Sequence, residues 1–300
     1  MREQLRVGIE YLHDATTLLR RVRAAHPTAG LYEAADLQFW WRIPRSTDNV
    51  GQLFWFDDLG RPEGAVIATD WGDVATDWSD GIALAPITLP GATPDRVTEV
   101  IERGLAHAAE SGFGVVEIEV DRADDVTRQA LAGHGFSVKG DGVVEAWLAA
   151  DDRPEVGPLH DGYRSCTRLD TMPRPHHMVH RSGPEVETRL GQTSLYRPDL
   201  DLVILDGEGG EAAYGLFWFD PETATGLVEP MRTADDHQRR GLARHLLTTG
   251  IALLAEAGAE RIKICFEPDN AASSGLYLDV GFEPVRQTVL LSGQPSAPAS

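Results

Sequence analysis

Gln238-Arg239-Arg240-Gly241-Leu242-Ala243 joins two runs of opposite character. Before it lies the strand-like Gly226-Leu227-Val228-Glu229-Pro230-Met231-Arg232-Thr233. After it, Leu242 to Ala257 carries Leu242, Leu246, Leu247, Ile251, Leu253 and Leu254 at helical spacing. A glycine turn flanked by arginines and opening a helix is suited to gripping phosphate. The first N–H groups of a helix lack intrahelical partners, and the helix dipole favours negative charge there. The chain has a formal net charge of -20, so this local cationic turn stands out.

The 300 residues suit two domains of ordinary size, and the seven tryptophans help to build buried cores. The two cysteines, Cys166 and Cys265, fall on separate predicted strands, which argues against a disulfide scaffold and for a reducing, cytoplasmic setting. Met1 to Ile9 has no apolar signal core. No apolar run approaches the roughly 18 residues of a membrane span. The acidic balance disfavours nucleic acid as a partner. It suits either a cationic small molecule or a plain solubility surface. Gly293 to Ser300, rich in Pro, Ser and Ala, reads as a disordered tail.

Ala149 to His160 mixes Pro, Gly and charge without periodicity and reads as a linker. The boundaries that follow are 1–148, a linker at 149–160, 161–292 and the tail at 293–300. The halves echo each other. Each starts with a hairpin, Leu53–Asp57 with Gly64–Ala68 and Leu202–Asp206 with Ala213–Trp218. Each continues with a strand containing an x-Pro step, at Ala85-Pro86 and Glu229-Pro230, and then a helix, Pro94–Ser111 and Arg240–Gly258. A further strand follows, Gly114–Val120 and Arg261–Phe266, then a short helix ending at Gly135-Phe136 and Gly281-Phe282 and a last strand. An internal duplication of α/β (α+β) units, each a mixed central sheet flanked by helices, is the simplest account.

The second half, about Asp161 to Leu291, resembles the GNAT superfamily of acyl-CoA-dependent N-acetyltransferases. The resemblance rests on Gln238-x-x-Gly241-x-Ala243, followed by Asn270-x-x-Ser273-x-x-Leu276-Tyr277-x-x-x-Gly281-Phe282. It implies two tandem GNAT-like units, a layout similar to that of mycothiol synthase. It also implies acetyl-CoA as co-substrate, no metal, and direct acetyl transfer to the primary amine of a small molecule. Gln238, Arg239, Arg240, Gly241, Leu242 and Ala243 would cradle the pyrophosphate, with Arg244 as a further contact. Backbone groups of Met231, Arg232 and Thr233 would hold the pantetheine arm and polarise the thioester. Asn270, with Ser273 in the same motif, would contact the CoA arm or cap its helix.

Tyr277 falls where the family often carries the acid that protonates the departing thiolate, though a tyrosine can equally pack under its helix. An acceptor amine must lose a proton before it attacks. Glu229, two residues before Met231 and on its face, is the candidate base, acting directly or through a water. A solvent-facing or Arg-paired Glu229 is the alternative, and His237 is a second candidate by chemistry. Cys265 reads as a core residue. His176 and His180 have the spacing of a metal pair, but no Cys or carboxylate cluster completes a site, so substrate contact or a plain loop is the expectation.

The first half departs from the pattern. Pro90-Gly91-Ala92-Thr93-Pro94-Asp95-Arg96 occupies the place of the phosphate turn, Val97 stands opposite Gly241, and Leu131 stands opposite Tyr277. This half is expected to be degenerate and not to turn over acetyl-CoA. Its loop from Thr69 to Asp80, with Trp71 and Trp78, can hold a cationic acceptor or simply fold back onto the core. The acceptor's identity and the choice between monomer and homodimer stay open. A non-catalytic acyl-CoA-binding or sensing module and a mycothiol-synthase-like enzyme are the alternative functions.

Overall fold

The computed structural model describes residues 2–72 and 81–295. Along the chain run β1 (Arg2–Arg6), α1 (Ile9–Ala25), α2 (Ala34–Trp40), β2 (Gln52–Phe56), β3 (Pro62–Asp70), β4 (Ile82–Thr88), α3 (Pro94–Glu110), β5 (Val116–Asp121), α4 (Asp125–Gly133) and β6 (Ser137–Ala149). Then come β7 (Arg164–Thr167), the short helices α5 (Arg168–Thr171), α6 (Val179–Ser182) and α7 (Val186–Leu190), β8 (Asp201–Leu205), β9 (Glu211–Asp220), β10 (Thr225–Thr233), α8 (Leu242–Ala257), β11 (Arg261–Phe266), α9 (Ala271–Val280) and β12 (Glu283–Gly293). The hairpins, the two long helices and the Gly-Phe turns predicted from the sequence are all present.

The chain forms two compact units that do not follow a single cut. The first holds Met1–Ala34, Pro44–Val143 and Arg286 onward; the second holds Ala35–Ile43 and Val144–Val285. In the first unit the strand order is β1-β2-β3-β4-β5-β12, and β12 pairs antiparallel with β5 from Thr288↔Asp121 to Gly293↔Val116. Its core joins Leu53 and Val66 of the sheet to Val100, Ile101 and Leu105 of α3.

In the second unit the order is β6-β11-β10-β9-β8-β7. β6 pairs antiparallel with β11 from Arg261↔Ala149 to Phe266↔Val144. Both faces of this sheet are covered, so alternation along a strand separates two buried environments rather than core from solvent. Ile262, Ile264 and Phe266 join Leu246, Leu247, Ile251 and Leu254 of α8 in the main core. Lys263 and Cys265, on the opposite face, look toward α2.

One close approach fixes the height of α8 above the sheet. A Cβ built on Gly250 would lie 2.1 Å from the ring of Phe217 on β9, a residue itself buried. Gly250→Ala is therefore expected to destabilise the protein by roughly 1–3 kcal/mol through overpacking. The thermal midpoint should fall by roughly 2–4 °C per kcal/mol. An unchanged melting curve would show that α8 does not pack this closely.

Candidate active site

The Gln238–Ala243 turn folds as a left-handed step into a helix. Arg239 has φ 60° and Gly241, the N-cap of α8, has φ 75°. A side chain at Gly241 would meet nothing within 4 Å, so glycine is needed there for its backbone conformation rather than for space. No side chain caps this helix. The first intrahelical donor of the turn is His245 N–H, bonded to the Gly241 carbonyl at 3.0 Å. The N–H groups of Leu242, Ala243 and Arg244 therefore have no i−4 acceptor within the helix.

The arginines of the turn have different surroundings. Arg239 is exposed at the turn. Arg240 donates to the Tyr163 hydroxyl and, at 2.9 Å, to the Asp236 carbonyl. Arg244 is ion-paired with Asp279. Arg240 thus braces the turn from within. His237, whose Nδ1 lies 2.8 Å from the Tyr163 hydroxyl, belongs to the same brace, and Gln238 Nε2 donates to Asp235 at 3.1 Å. Asn270 caps α9, its Oδ1 accepting from the Ser273 N–H at 3.1 Å.

β10 and β11 run together and then part. Their parallel pairing covers Thr225↔Arg261 to Val228↔Ile264 and ends there. β10 continues on its other side against β9, with a register shift between Val228 and Met231, and pairs Met231, Arg232 and Thr233 with Gly215, Tyr214 and Ala213. Pro230 has no N–H to give a ladder. Beyond Val228 the β11-facing edge of β10 thus has no strand partner. The Thr233 hydroxyl, beside this edge, is buried with no hydrogen-bond partner.

Glu229 sits at the point of parting. The residue as a whole is half-buried, but its carboxyl is desolvated. Burial pushes its pKa well above the carboxylate range, and the charge and hydrogen bond of Asp36 push in the same direction; Arg42 and Lys263 oppose them. Trp218 Nε1 donates to the Glu229 carbonyl at 2.7 Å and fixes the backbone. Tyr277 is buried between Phe266 and Phe282, with ring centroids 5.7 and 6.4 Å away. Burial raises its phenol to about 12, with a contribution from the charge of Glu229. The two sequence candidates thus share one electrostatic environment. Burial also pushes the Cys265 thiol up, which leaves it protonated and unsuited to nucleophilic work.

Several members of this site were not singled out from the sequence. Lys263 is fully buried, 3.4 Å from Glu145 and 3.8 Å from Asp36. Its position in the Arg261–Phe266 alternation is the signal that points to it. Asp36 gives no local signal, because it lies far from Glu229 in sequence.

His176 and His177 also meet a carboxylate. The Met178 N–H donates to His176 Nδ1 at 3.1 Å, so the ring proton sits on Nε2 and faces Asp201 at 2.8 Å. The Tyr196 hydroxyl donates to the same oxygen at 2.7 Å, and His177 Nε2 lies 2.9 Å from the other. Burial pushes the Asp201 carboxyl up, but the two histidines outweigh it and hold it at about 2. This is the one buried His/Asp group among the described residues with metal-ligand spacing. In this cluster His176 is thus hydrogen-bonded to Asp201, whereas both ring nitrogens of His177 and Asp201 Oδ1 are buried with no hydrogen-bond partner. His180 is not part of it; it lines an adjacent cavity of about 220 Å³ with Arg174 and Glu211.

In the first unit, α3 is capped by Thr93, whose hydroxyl accepts from the Arg96 N–H, and Pro94 follows. Thr93, rather than Val97, is therefore the positional counterpart of Gly241. This cap is already satisfied, and Pro94 has no N–H to offer a phosphate. Leu131 is fully buried. β4 and β5 pair at Ile82↔Val116 and Ala83↔Glu117, and a cavity of about 310 Å³ lies beyond, with Glu119, Asp121 and Asp124 in its wall. Trp71 stacks under Arg45 at 4.2 Å; Trp78 and the loop from Asp73 to Asp80 lie outside the described residues.

Residues 168–282 match the family model "Acetyltransferase (GNAT) family". A mycothiol acetyltransferase of Tsukamurella paurometabola is 33% identical over 108 residues, which is 33% of this chain and 37% of that protein. A mycothiol acetyltransferase of Clavibacter sepedonicus is 25% identical over 224 residues, 73% of this chain and 62% of that protein. The matched regions thus span less than two thirds of these relatives. A tandem GNAT protein from the clavulanic acid biosynthesis pathway superposes with a TM-score of 0.69 at 14% identity, over 100% of both chains. A GCN5-related N-acetyltransferase from Sphaerobacter thermophilus superposes with a TM-score of 0.63 at 12% identity, over 98% and 95%. These two likenesses establish the fold. No helix among the described residues is long and apolar enough to cross a membrane.

The Asp201 cluster has a measurable pH signature. Its lowered pKa means that its stabilisation is fully present above the unfolded value of about 4 and is lost as pH falls toward about 2. Asp201→Ala, which leaves buried donors unpaired, should cost roughly 3–5 kcal/mol at neutral pH. Denaturant unfolding of that variant should lack the wild-type loss of stability between these pH values; an unchanged acid limb would remove Asp201 from this role.

Proposed function

We propose, from a second unit that belongs to the GNAT acetyltransferase family, that the protein transfers an acetyl group from acetyl-CoA to the primary amine of a small molecule. The observation that carries this reading is the parting of β10 and β11 between an unpaired helix N-terminus and the Glu229–Tyr277 pair. In this reading the pyrophosphate lies on the N–H groups of Leu242, Ala243 and Arg244, with Arg239 beside it. Gln238, Arg240 and Gly241 shape the turn, Asn270 and Ser273 flank the CoA arm, and the pantetheine arm runs along Met231, Arg232 and Thr233.

Glu229, directly or through a water, takes a proton from the acceptor ammonium. The free amine attacks the thioester carbonyl carbon, and the developing oxyanion meets backbone N–H groups of β10. The intermediate collapses with cleavage of the C–S bond. Tyr277 gives its proton to the thiolate and recovers one from the new amide nitrogen. Burial and the neighbouring Asp36 raise the proton affinity of Glu229, which suits a group that takes a proton from the acceptor.

A mycothiol-type acceptor, the amine of a cysteinyl-sugar conjugate, is the favoured specific reading, supported by the mycothiol acetyltransferase relatives. Thiol release from acetyl-CoA, measured across a panel including such a conjugate and aminoglycosides, tests it. Turnover on aminoglycosides alone would reject that acceptor. Tight CoA binding with no turnover on any amine would favour a binding module instead.

Tyr277→Phe should lower kcat by about tenfold or more while leaving CoA affinity unchanged. A wild-type rate would take Tyr277 out of the mechanism. Gly241→Val, which opposes the positive φ, should weaken CoA binding by distorting the turn. Unaltered affinity, measured by calorimetry, would contradict the cradle.

A further inference from the structure

Tyr163 stands one residue before β7, at the end of a stretch that is tied to α8. The Gly157 N–H donates to the Thr248 hydroxyl at 2.9 Å, and the Gly157 carbonyl accepts from His245 Nδ1 at 2.7 Å. Leu159 and Tyr163 then pack against the main core. The Tyr163 ring meets His237 edge-on, with centroids 5.7 Å apart, and lies 5.9 Å from the Arg240 guanidinium. This strap along α8 carries the Tyr163 hydroxyl to the phosphate turn.

The hydroxyl is fully used there. A guanidinium only donates, so the phenol oxygen accepts from Arg240. The one phenol proton is left for His237 Nδ1, 2.8 Å away, which must accept it. The imidazole proton then sits on Nε2 and faces Asp206 Oδ2 at 3.8 Å. Asp206 is itself fixed, because its other carboxylate oxygen accepts from the Glu208 and Gly210 N–H groups at 2.9 and 2.8 Å. A single chain from Arg240 through Tyr163 and His237 to Asp206 thus joins the turn to the strap and to the β8–β9 hairpin.

The turn needs such an anchor. Arg239 has φ 60° and Gly241 has φ 75°, so Arg240 lies between two left-handed residues. A residue other than glycine keeps a left-handed conformation only where its surroundings hold it. Around Arg239 the holding contacts are the Arg240 bonds to Tyr163 and to the Asp236 carbonyl, and the Gln238 bond to Asp235.

We propose that Tyr163 is a positioning residue of the pyrophosphate cradle. Its hydroxyl locks Arg240, and through it the left-handed Arg239, so that the N–H groups of Leu242, Ala243 and Arg244 stay open to a diphosphate. The proposal rests on the acetyl-CoA reading for the identity of the ligand. In this role Tyr163 touches no reacting atom. Its loss weakens the hold on the diphosphate and leaves the hold on the pantetheine arm along β10 unaltered.

Calorimetry on the full-length protein tests this with two probes. CoA is titrated directly, and pantetheine, the same arm without the diphosphate, is measured by its displacement of bound CoA. Tyr163→Phe keeps the ring and removes only the hydroxyl. It should raise the Kd of CoA by about three- to tenfold, as expected for the loss of one hydrogen bond to a charged group, and leave that of pantetheine within about twofold. Equal weakening of both probes, the mark of a merely structural role, would overturn the proposal, and so would an unchanged CoA affinity. Arg240→Gln is the second variant. In that background Tyr163→Phe should cost less than about twofold more, because its partner is already gone. Losses that multiply independently would overturn the link between the two residues. A wild type that binds no CoA would instead reject the acetyl-CoA reading itself.

Discussion

The separation of β10 from β11 after Val228 and Ile264 is the constraint on which the site depends. A continuous parallel pair would have used the backbone groups of Met231, Arg232 and Thr233 for its own ladder. Pro230, with no N–H, and the register shift against β9 release that edge while β9 keeps the strand in place. The opening then lies between two fixtures. At one end is the uncapped start of α8; at the other are Glu229 and Tyr277. Packing holds both, because α8 is seated on Phe217 through Gly250 and Tyr277 is wedged between Phe266 and Phe282.

The first unit keeps a similar strand opening but starts its helix differently. β4 and β5 also part, after Ala83 and Glu117, and leave a cavity. Its helix, however, begins with a satisfied Thr93 cap and Pro94, and carboxylates from Glu119, Asp121 and Asp124 enter the wall. A pyrophosphate there would meet several like charges, with Arg286 in the same wall as a cation. The asymmetry between the units lies in about one helical turn, not in the sheet.

Much of this was legible in the sequence because it is local. The glycine turn, the helix spacing of Leu242 to Leu254, the hairpins and the Gly-Phe pairs each depend on residues close in the chain. Glu229 and Tyr277 were legible as candidates for the same reason. What was not legible depends on long-range pairing. Asp36 meets Lys263 only because α2 packs in the second unit, and β12 pairs with β5 rather than with its own half. The roles of Arg240 and His237 also escaped, because their partner Tyr163 lies on a distant segment. The Val97 alignment slipped because register across a degenerate turn cannot be read without its N-cap.

The central claim is that the chain has a single acetyl-CoA cradle, at the start of α8. Isothermal titration of the full-length protein with acetyl-CoA measures it most directly. One molecule bound per chain is the predicted result. Two per chain would contradict the degenerate reading of the first unit, and none would contradict the cradle itself.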